Sequence, residues 1–131
     1  MAAFLNHIGQ VALTVDDVDT AERFYGDQLG LRKLFRFGDM AFYDCAGVRL
    51  LVEKSTKQPF APSSSVLYFR TPDLSIAVRD LTAKGVSFTH PPHLIAPMED
   101  HDLWMAFFTD PAGNVLALMQ EAPKGYTLPS S

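Results

Sequence analysis

The sequence predicts an α+β fold in which one domain is built from two β-α-β-β-β modules. Two observations carry this prediction. A strand–turn–helix pattern occurs twice, over 9–31 and over 65–86, and three strand-like segments follow each copy. Gly30 and Gly85 end the two helices at matching places in the two copies. A repeat at this spacing indicates a duplicated supersecondary unit.

The first module begins with a half-buried strand. Residues 10–15 alternate polar or small side chains with large apolar ones, so Val11, Leu13 and Val15 are expected to face a helix layer. The two aspartates that follow supply an N-cap, and the next apolar stripe predicts a helix that Gly30 ends. The module is completed by strand-like segments at 32–37, 40–44 and 48–53.

The second module repeats this order. Leu67 and Phe69 are expected on the helix side of its first strand, and Asp73 is expected to cap its helix. Apolar residues at helical spacing continue to Gly85, where the helix is expected to end. The remaining strand-like segments are 86–90, 104–109 and 115–120.

The other segments predict how the single domain is divided. Module one spans about 5–54 and module two about 66–121, joined by a linker at 55–65 that contains two prolines and four serines. Residues 91–102 predict a long proline-containing loop, a kind of segment that often carries binding residues. Residues 122–131 are expected to form a loosely ordered tail.

Composition and charge narrow the range of partners. The 131 residues carry 11 basic and 15 acidic side chains, a net charge of −4, and the basic residues are scattered. This argues against a nucleic acid and against a membrane surface as partners, and no apolar stretch approaches the roughly 20 residues that span a bilayer. Cys45 is the only cysteine, and we expect it to be a small buried residue of a cytoplasmic protein.

Two segments carry a resemblance to a known family. The opening GQVALTVDDVDTAERFYGDQLGL and the closing FFTDPAGNVLALMQE resemble the vicinal oxygen chelate superfamily, which includes glyoxalase I, bleomycin-resistance proteins, methylmalonyl-CoA epimerases and extradiol dioxygenases. The resemblance covers about residues 5–121. It implies the glyoxalase-like fold, in which the modules form a U-shaped mixed sheet around a cleft. It also implies a homodimer, because pairing of modules usually completes that sheet.

The resemblance also implies where a metal would bind. The ligands of metal-dependent members fall at Gln10, Leu51, Val66 and Ala117 of this sequence. Only Gln10 can donate an oxygen, whereas a divalent ion needs several oxygen or nitrogen ligands. We therefore expect no cofactor at the family position. A divalent metal held by displaced ligands stays open, and Glu53, one pleat beyond Leu51, is the nearest replacement.

Strand alternation predicts which residues line the cleft if Gln10 faces it. The predicted ligand-binding residues are Gln10, Arg49, Glu53, Tyr68, Arg70 and Trp104. An arginine can pair with a carboxylate or enolate oxygen, and a mostly apolar lining suits a small organic ligand. Alternatives stay open: Arg49 and Glu53 can form a surface ion pair, Tyr68 can be a core residue, and the strand of Trp104 can present Met105 and Phe107 instead.

Two histidines are candidates for catalysis. His93 and His101 lie in the predicted loop at 91–102, and histidine is the natural acid–base group near neutral pH. In a metal-free reaction one of them would act as the base, and Arg70 or Gln10 would stabilise an enolate-like oxyanion. The alternative interpretation is that both are solvated loop residues.

Three functions are compatible with these patterns. The first is a metal-free protein that binds a small aromatic or carboxylate-bearing molecule, which the resemblance to bleomycin-resistance proteins implies. The second is a lyase or isomerase of the glyoxalase I or epimerase type, working without metal or with displaced ligands. The third is an interaction protein with an occluded cleft. The loss of the family's metal ligands favours the first function. Likeness of fold alone does not establish the activity that the second requires.

Overall fold

The computed structural model describes residues 4–128 and divides the chain into two compact units between Ser63 and Ser64. Each unit contains one four-stranded sheet and one helical region in the order β-α-β-β-β, which confirms the predicted α+β architecture. The predicted tail at 122–131 is covered only in part, because 129–131 lie outside the described residues.

The strands and helices lie close to the predicted bounds, with one exception in the second unit. The first unit comprises β1 (Gln10–Val15), α1 (Val18–Glu22), a π-helical segment (Arg23–Gln28), β2 (Arg32–Phe37), β3 (Met40–Cys45) and β4 (Val48–Lys54). The second comprises β5 (Leu67–Arg70), α2 (Leu74–Ala83), β6 (Phe88–Pro97), β7 (Asp102–Thr109) and β8 (Val115–Ala122). Within residues 4–128, no helix has the length and apolar character needed to cross a membrane.

The two sheets share one topology. The strand order is β1-β4-β3-β2 in the first and β5-β8-β7-β6 in the second. The first strand of each unit pairs in parallel with the last, and the other pairs are antiparallel. Gln10 lies opposite Arg49 in the first sheet, and Tyr68 lies opposite Ala117 in the second. β2 and β6 are therefore edge strands within their sheets.

The core of the first unit lies between the sheet and its helical region. Val15, Tyr43 and Val52 are fully buried, and Val15 lies on the strand face that alternation assigns to the helix layer. The hydroxyl of Tyr43 donates a hydrogen bond to the carbonyl oxygen of Glu22 at 3.3 Å. Burial raises the pKa of Tyr43 to about 12, so this hydroxyl stays a hydrogen-bond donor at neutral pH.

The first helical region begins as predicted but does not continue as a regular α-helix. Asp17 caps α1 by accepting a hydrogen bond from the backbone N–H of Thr20 at 3.2 Å. After Glu22 the helical hydrogen bonds span five residues instead of four, as in the bond from the N–H of Leu29 to the carbonyl oxygen of Phe24 at 2.8 Å. An extra residue in a turn shifts the side chains that follow it. As a result Phe24 and its neighbour Tyr25 are both buried.

The helix of the second unit is held to its sheet at its N-terminus. Asp73 accepts a hydrogen bond from the N–H of Ile76 at 3.1 Å, as expected of the predicted cap. The side-chain oxygen of Gln120 accepts a second one from the N–H of Leu74 at 2.8 Å. This bond is buried and connects β8 to α2. It satisfies one of the N–H groups that a helix start leaves without a helical partner.

The predicted loop at 91–102 was wrong. β6 continues through this segment to Pro97, and β7 already begins at Asp102. Prolines in this segment predict a loop, because proline cannot donate to a β-ladder. An edge strand tolerates them, since one side of its backbone needs no partner. β6 is such a strand, and the register shifts that interrupt its pairing with β7 accommodate the prolines.

The single cysteine lies at the end of β3. Cys45 is half-buried rather than fully buried. Burial is the main cause that raises the pKa of its thiol. Since the thiolate is the nucleophilic form, Cys45 is a poor nucleophile at neutral pH.

The bond between Gln120 and Leu74 yields a stability prediction. Gln120→Leu is expected to lower the free energy of unfolding by about 1–3 kcal/mol, because the buried N–H of Leu74 then lacks an acceptor. Urea unfolding measures the change. Gln120→Glu keeps an acceptor near the positive end of α2 and serves as the control. Equal urea midpoints for Gln120→Leu and wild type would show that the bond contributes nothing.

Candidate functional site

The face of the first sheet that points away from its helix carries a positioned arginine. Gln10 and Arg49 are neighbours on β1 and β4, and both are exposed. The Nε of Arg49 donates a hydrogen bond to the Oε1 of Gln10 at 2.7 Å. This bond fixes one edge of the guanidinium group and leaves its Nη atoms directed elsewhere. The open surface of sheet one, defined here by Gln10, Phe35, Phe42 and Arg49, is built around this pair.

Aromatic rings continue the open surface of sheet one. The guanidinium carbon of Arg49 lies 5.7 Å from the centre of the Phe42 ring, within the range of a cation–π contact. Phe35 on β2 stacks on Phe42, with ring centres 4.3 Å apart and planes 21° from parallel. Phe35 is 48% exposed and Phe37 on the same strand is 69% exposed. The Arg49 cation therefore lies beside a stacked aromatic pair of which Phe35 is exposed and Phe42 is half-buried.

The other two sequence-predicted positions of this sheet lie further along β4. Leu51 is buried, next to Ala12 and Phe42 in the register. Glu53 is half-buried and lies opposite Thr14 and Met40. The ion pair between Arg49 and Glu53 that the sequence left open is not formed, because Arg49 contacts Gln10 and Phe42 instead.

The corresponding face of the second sheet is aromatic around Ala117. Tyr68 on β5 and Phe107 on β7 both pair with Ala117, and their ring centres are 6.3 Å apart in an edge-to-face arrangement. Ala117 has no exposed surface, whereas Tyr68 is 49% exposed and is therefore not a core residue. Val66 lies just before β5 and is half-buried.

Arg70 belongs to a chain of charged groups at one end of the second sheet. Its guanidinium lies 3.4 Å from the carboxylate of Glu121, and the other oxygen of Glu121 lies 3.7 Å from the Nε2 of His101. The Nδ1 of His101 is 2.7 Å from Asp100, and this hydrogen bond lowers the pKa of Asp100. Arg70 and Glu121 also line a surface recess beside Thr71.

His93 lies apart from His101, on β6 rather than in a loop. Its Nδ1 is 2.8 Å from the carbonyl oxygen of Pro91, and its ring centre is 6.3 Å from that of Phe107. His90 also packs against Phe107, with ring centres 5.8 Å apart. The sequence reasoning did not select His90. The HPPH run was the available signal, since two prolines between two histidines can disturb the alternation of a strand.

Trp104 occupies the opposite face of the second sheet from Phe107. It shares a face with the buried Ala106 and Phe108. It also lies opposite Gln120, whose side chain bonds to the start of α2. Its ring packs edge-on against Tyr126 at 5.7 Å. Of the two sets that the sequence left open for β7, Met105 and Phe107 therefore share a face with Tyr68.

The positions at which the resemblance places metal ligands do not fit a divalent ion. The only oxygen among them, on Gln10, already accepts a hydrogen bond from Arg49. Leu51 and Ala117 are buried hydrocarbon side chains, and Val66 offers no donor atom. In the described part of the chain, no three histidine, cysteine or acidic side chains come together in a way that could hold a metal ion.

Comparison with known proteins gives one family and one fold. Residues 7–118 match the family model of the Glyoxalase/Bleomycin resistance protein/Dioxygenase superfamily. No match is found among curated proteins. The chain is similar to a solved lactoylglutathione lyase from Agrobacterium tumefaciens, with 22% identity and a TM-score of 0.72 over 92% of this chain and 97% of that chain.

Two further solved structures share the fold. An integron cassette protein from the mobile metagenome of V. cholerae has 21% identity and a TM-score of 0.74, covering 88% of this chain and 95% of that chain. TioX from Micromonospora sp. ML1 has 18% identity and a TM-score of 0.71, covering 88% of this chain and 98% of that chain. At these identities the structural likeness shows the fold alone.

The acidic groups beside His101 yield a prediction for pH dependence. A hydrogen bond from Lys124 at 2.9 Å, helped by the N–H of Gly125, lowers the pKa of Asp102. Lys124→Met is therefore expected to raise the pKa of Asp102 toward its ordinary value, which NMR titration of the side-chain carboxyl carbon measures. An unchanged pKa would contradict the assigned cause.

The same pair sets the direction of a stability change. A carboxyl group whose pKa is lowered by folding stabilises the protein above its unfolded pKa of about 4, and this contribution is lost as the pH falls through the folded pKa. Wild type is thus expected to have a higher free energy of unfolding than Lys124→Met at pH 7. Urea titrations should show this difference shrinking toward pH 2.

Proposed function

This chain belongs to the Glyoxalase/Bleomycin resistance protein/Dioxygenase superfamily, and we propose that it is a member that binds a small organic molecule without the family's metal. The proposed ligand is a planar aromatic carboxylate, bound on the open surface of sheet one. Gln10 takes part as the residue that orients Arg49, not as a metal ligand.

The observation that carries the proposal is the hydrogen bond between Arg49 and Gln10. A guanidinium group fixed through Nε presents its Nη atoms as a fork that matches the two oxygens of a carboxylate. Arg49 makes no ion pair with an acidic side chain in residues 4–128. An anionic ligand would therefore gain charge-assisted hydrogen bonds without displacing a protein carboxylate.

The aromatic part of the ligand is supported by the two stacked phenylalanines. Phe35 is about half exposed and continues the surface that Phe42 begins beneath Arg49. A planar ligand ring packed against this pair buries apolar surface of both the ligand and the phenylalanines, and it can adopt a favourable stacked arrangement. A ligand with a carboxylate at one end and a ring at the other would use both parts of the surface at once.

A second function, a metal-free lyase or isomerase of the glyoxalase I or epimerase type, is favoured by His93. Its Nδ1 faces the carbonyl oxygen of Pro91 at 2.8 Å, which can only accept, so Nδ1 carries the proton. In the neutral ring Nε2 is then the nitrogen without a proton, as a general base requires. His101, in contact with Asp100 and Glu121, is the less accessible candidate.

The proposal includes a homodimer in a reducing compartment. Its basis is the expected pairing of modules in this superfamily and a single cysteine. Light scattering of the purified protein is expected to give twice the mass of one chain. A mass of 14.5 kDa would contradict the dimer without bearing on ligand binding.

The binding proposal is tested with 2-naphthoate as the probe, titrated calorimetrically into protein treated with EDTA. Arg49→Met is expected to weaken binding about tenfold or more, because hydrogen bonds to charged groups contribute about 1.5–3 kcal/mol. Gln10→Ala is expected to weaken it less, since Arg49 keeps its charge but loses its orientation. Arg79→Met removes the same charge from the exposed side of α2 and is the matched control.

Two outcomes would overturn the proposal. One is binding that Arg49→Met and Arg79→Met weaken equally, which would indicate attraction by overall charge alone. The other is equal affinity of wild type for 2-naphthoate and for the neutral 2-naphthalenemethanol, which would show that no cation recognises the carboxylate. Turnover of a lactoylglutathione-type substrate that disappears in His93→Ala would favour the enzymatic function instead.

A further inference from the structure

Two histidines that a regular strand would separate lie on one face of the second sheet. His90 and His93 are three residues apart, a spacing that places side chains on opposite faces of a strand. Here the segment between them contains one extra residue, because His90 pairs with Phe107 and His93 with Met105, only two residues away. This is the arrangement of a β-bulge. Both imidazoles consequently contact Phe107, and their ring centres are 6.4 Å apart.

Hydrogen bonding fixes the protonation pattern of His90. The hydroxyl of Thr89 donates its single hydrogen to the carbonyl oxygen of Phe107 at 3.2 Å. It can then only accept from the Nδ1 of His90, which lies 3.3 Å away. In the neutral imidazole of His90, these contacts place the proton on Nδ1 and leave a lone pair on Nε2.

His93 reaches the same pattern through the backbone. The carbonyl oxygen of Pro91, 2.8 Å from its Nδ1, accepts and cannot donate. Both histidines thus direct a protonated Nδ1 to a backbone carbonyl, one directly and one through Thr89. Metal-binding histidines are oriented by the same kind of outer contact, which fixes the ring and leaves Nε2 for the ion.

We propose that His90 and His93 form a two-imidazole site for a divalent transition-metal ion such as Cu²⁺, Ni²⁺ or Zn²⁺. An ion bound at about 2.0–2.1 Å from Nε2 lies about 3 Å from each ring centre. Rings that share one ion therefore have centres at most about 6 Å apart, so the two exposed side chains have to rotate to bring theirs closer than 6.4 Å. Imidazole suits these metals, whereas Mg²⁺ and Ca²⁺ prefer oxygen. Water completes the coordination.

The site is independent of the proposed function. It lies wholly in the second unit, whereas the open surface of sheet one lies in the first. Failure of metal binding would leave the carboxylate titration unaffected, and the reverse also holds. A bound ion would coordinate the Nε2 of His93, and this nitrogen could then not act as a base.

The test is calorimetric titration of NiCl₂, and separately CuCl₂, into untagged protein freed of metal with EDTA. One equivalent per chain is expected, with Cu²⁺ binding more tightly than Ni²⁺ and MgCl₂ giving no heat. His90→Ala and His93→Ala are each expected to weaken binding at least tenfold, because a single imidazole no longer chelates. His7→Ala, which removes an exposed histidine of the other unit, is the matched control.

A second variant separates the outer contact from the ligands. Thr89→Val is expected to weaken Ni²⁺ binding about tenfold, in the range typical of outer-shell changes, and Thr89→Ser should restore it. Substoichiometric Cu²⁺ should broaden the imidazole NMR signals of His90 and His93 before those of His7 and His101. Affinities unchanged in both alanine variants, equal broadening of all four histidines, or no saturable binding by wild type would each overturn the proposal.

Discussion

The burial of one face of each sheet against its own helix is the constraint on which the rest of the structure depends. Val15, Tyr43 and Val52 are fully buried in the first unit, and Phe108 and Leu116 in the second. Side chains of a strand alternate between two faces. Once these residues are buried against the helix, the strand residues between them must lie on the opposite face of the sheet. The positions of Gln10, Arg49, Tyr68 and Phe107 on the open faces follow from that burial and not from any interaction of their own.

Matching positions of the two modules have acquired different chemistry on this common frame. Phe42 lies beside Leu51 in the first sheet, as Phe107 lies beside Ala117 in the second. Phe42 carries a guanidinium group above its ring, whereas Phe107 is flanked by imidazoles and by a tyrosine. The two sheets therefore share one topology and differ in the side chains that flank the matching phenylalanine.

The periodic parts of this structure could be predicted from the sequence, and the aperiodic parts could not. Alternation predicted the strands, since period two is imposed by the backbone itself, but it left open which set of β7 residues shares a face with Tyr68, and the selected Trp104 lies on the other face. The segment at 91–102 was predicted wrongly because proline identity says nothing about whether a strand is central or at an edge. His90 was missed for a related reason: the extra residue that turns it toward Phe107 appears only in the pairing of β6 with β7. The π-helical segment was not predicted either, because a regular apolar stripe does not reveal the wider turn that accompanies the burial of both Phe24 and Tyr25.

Hydrogen-bond donors and acceptors account for the difference between the two open faces. The first presents an arginine, which can only donate, so it favours ligands rich in acceptors such as carboxylates. The second presents two imidazoles whose Nδ1 atoms bond to Thr89 and Pro91. In their neutral forms the Nε2 atoms offer lone pairs, so this face favours ligands that accept an electron pair. Both properties follow from which neighbouring atom can accept a hydrogen.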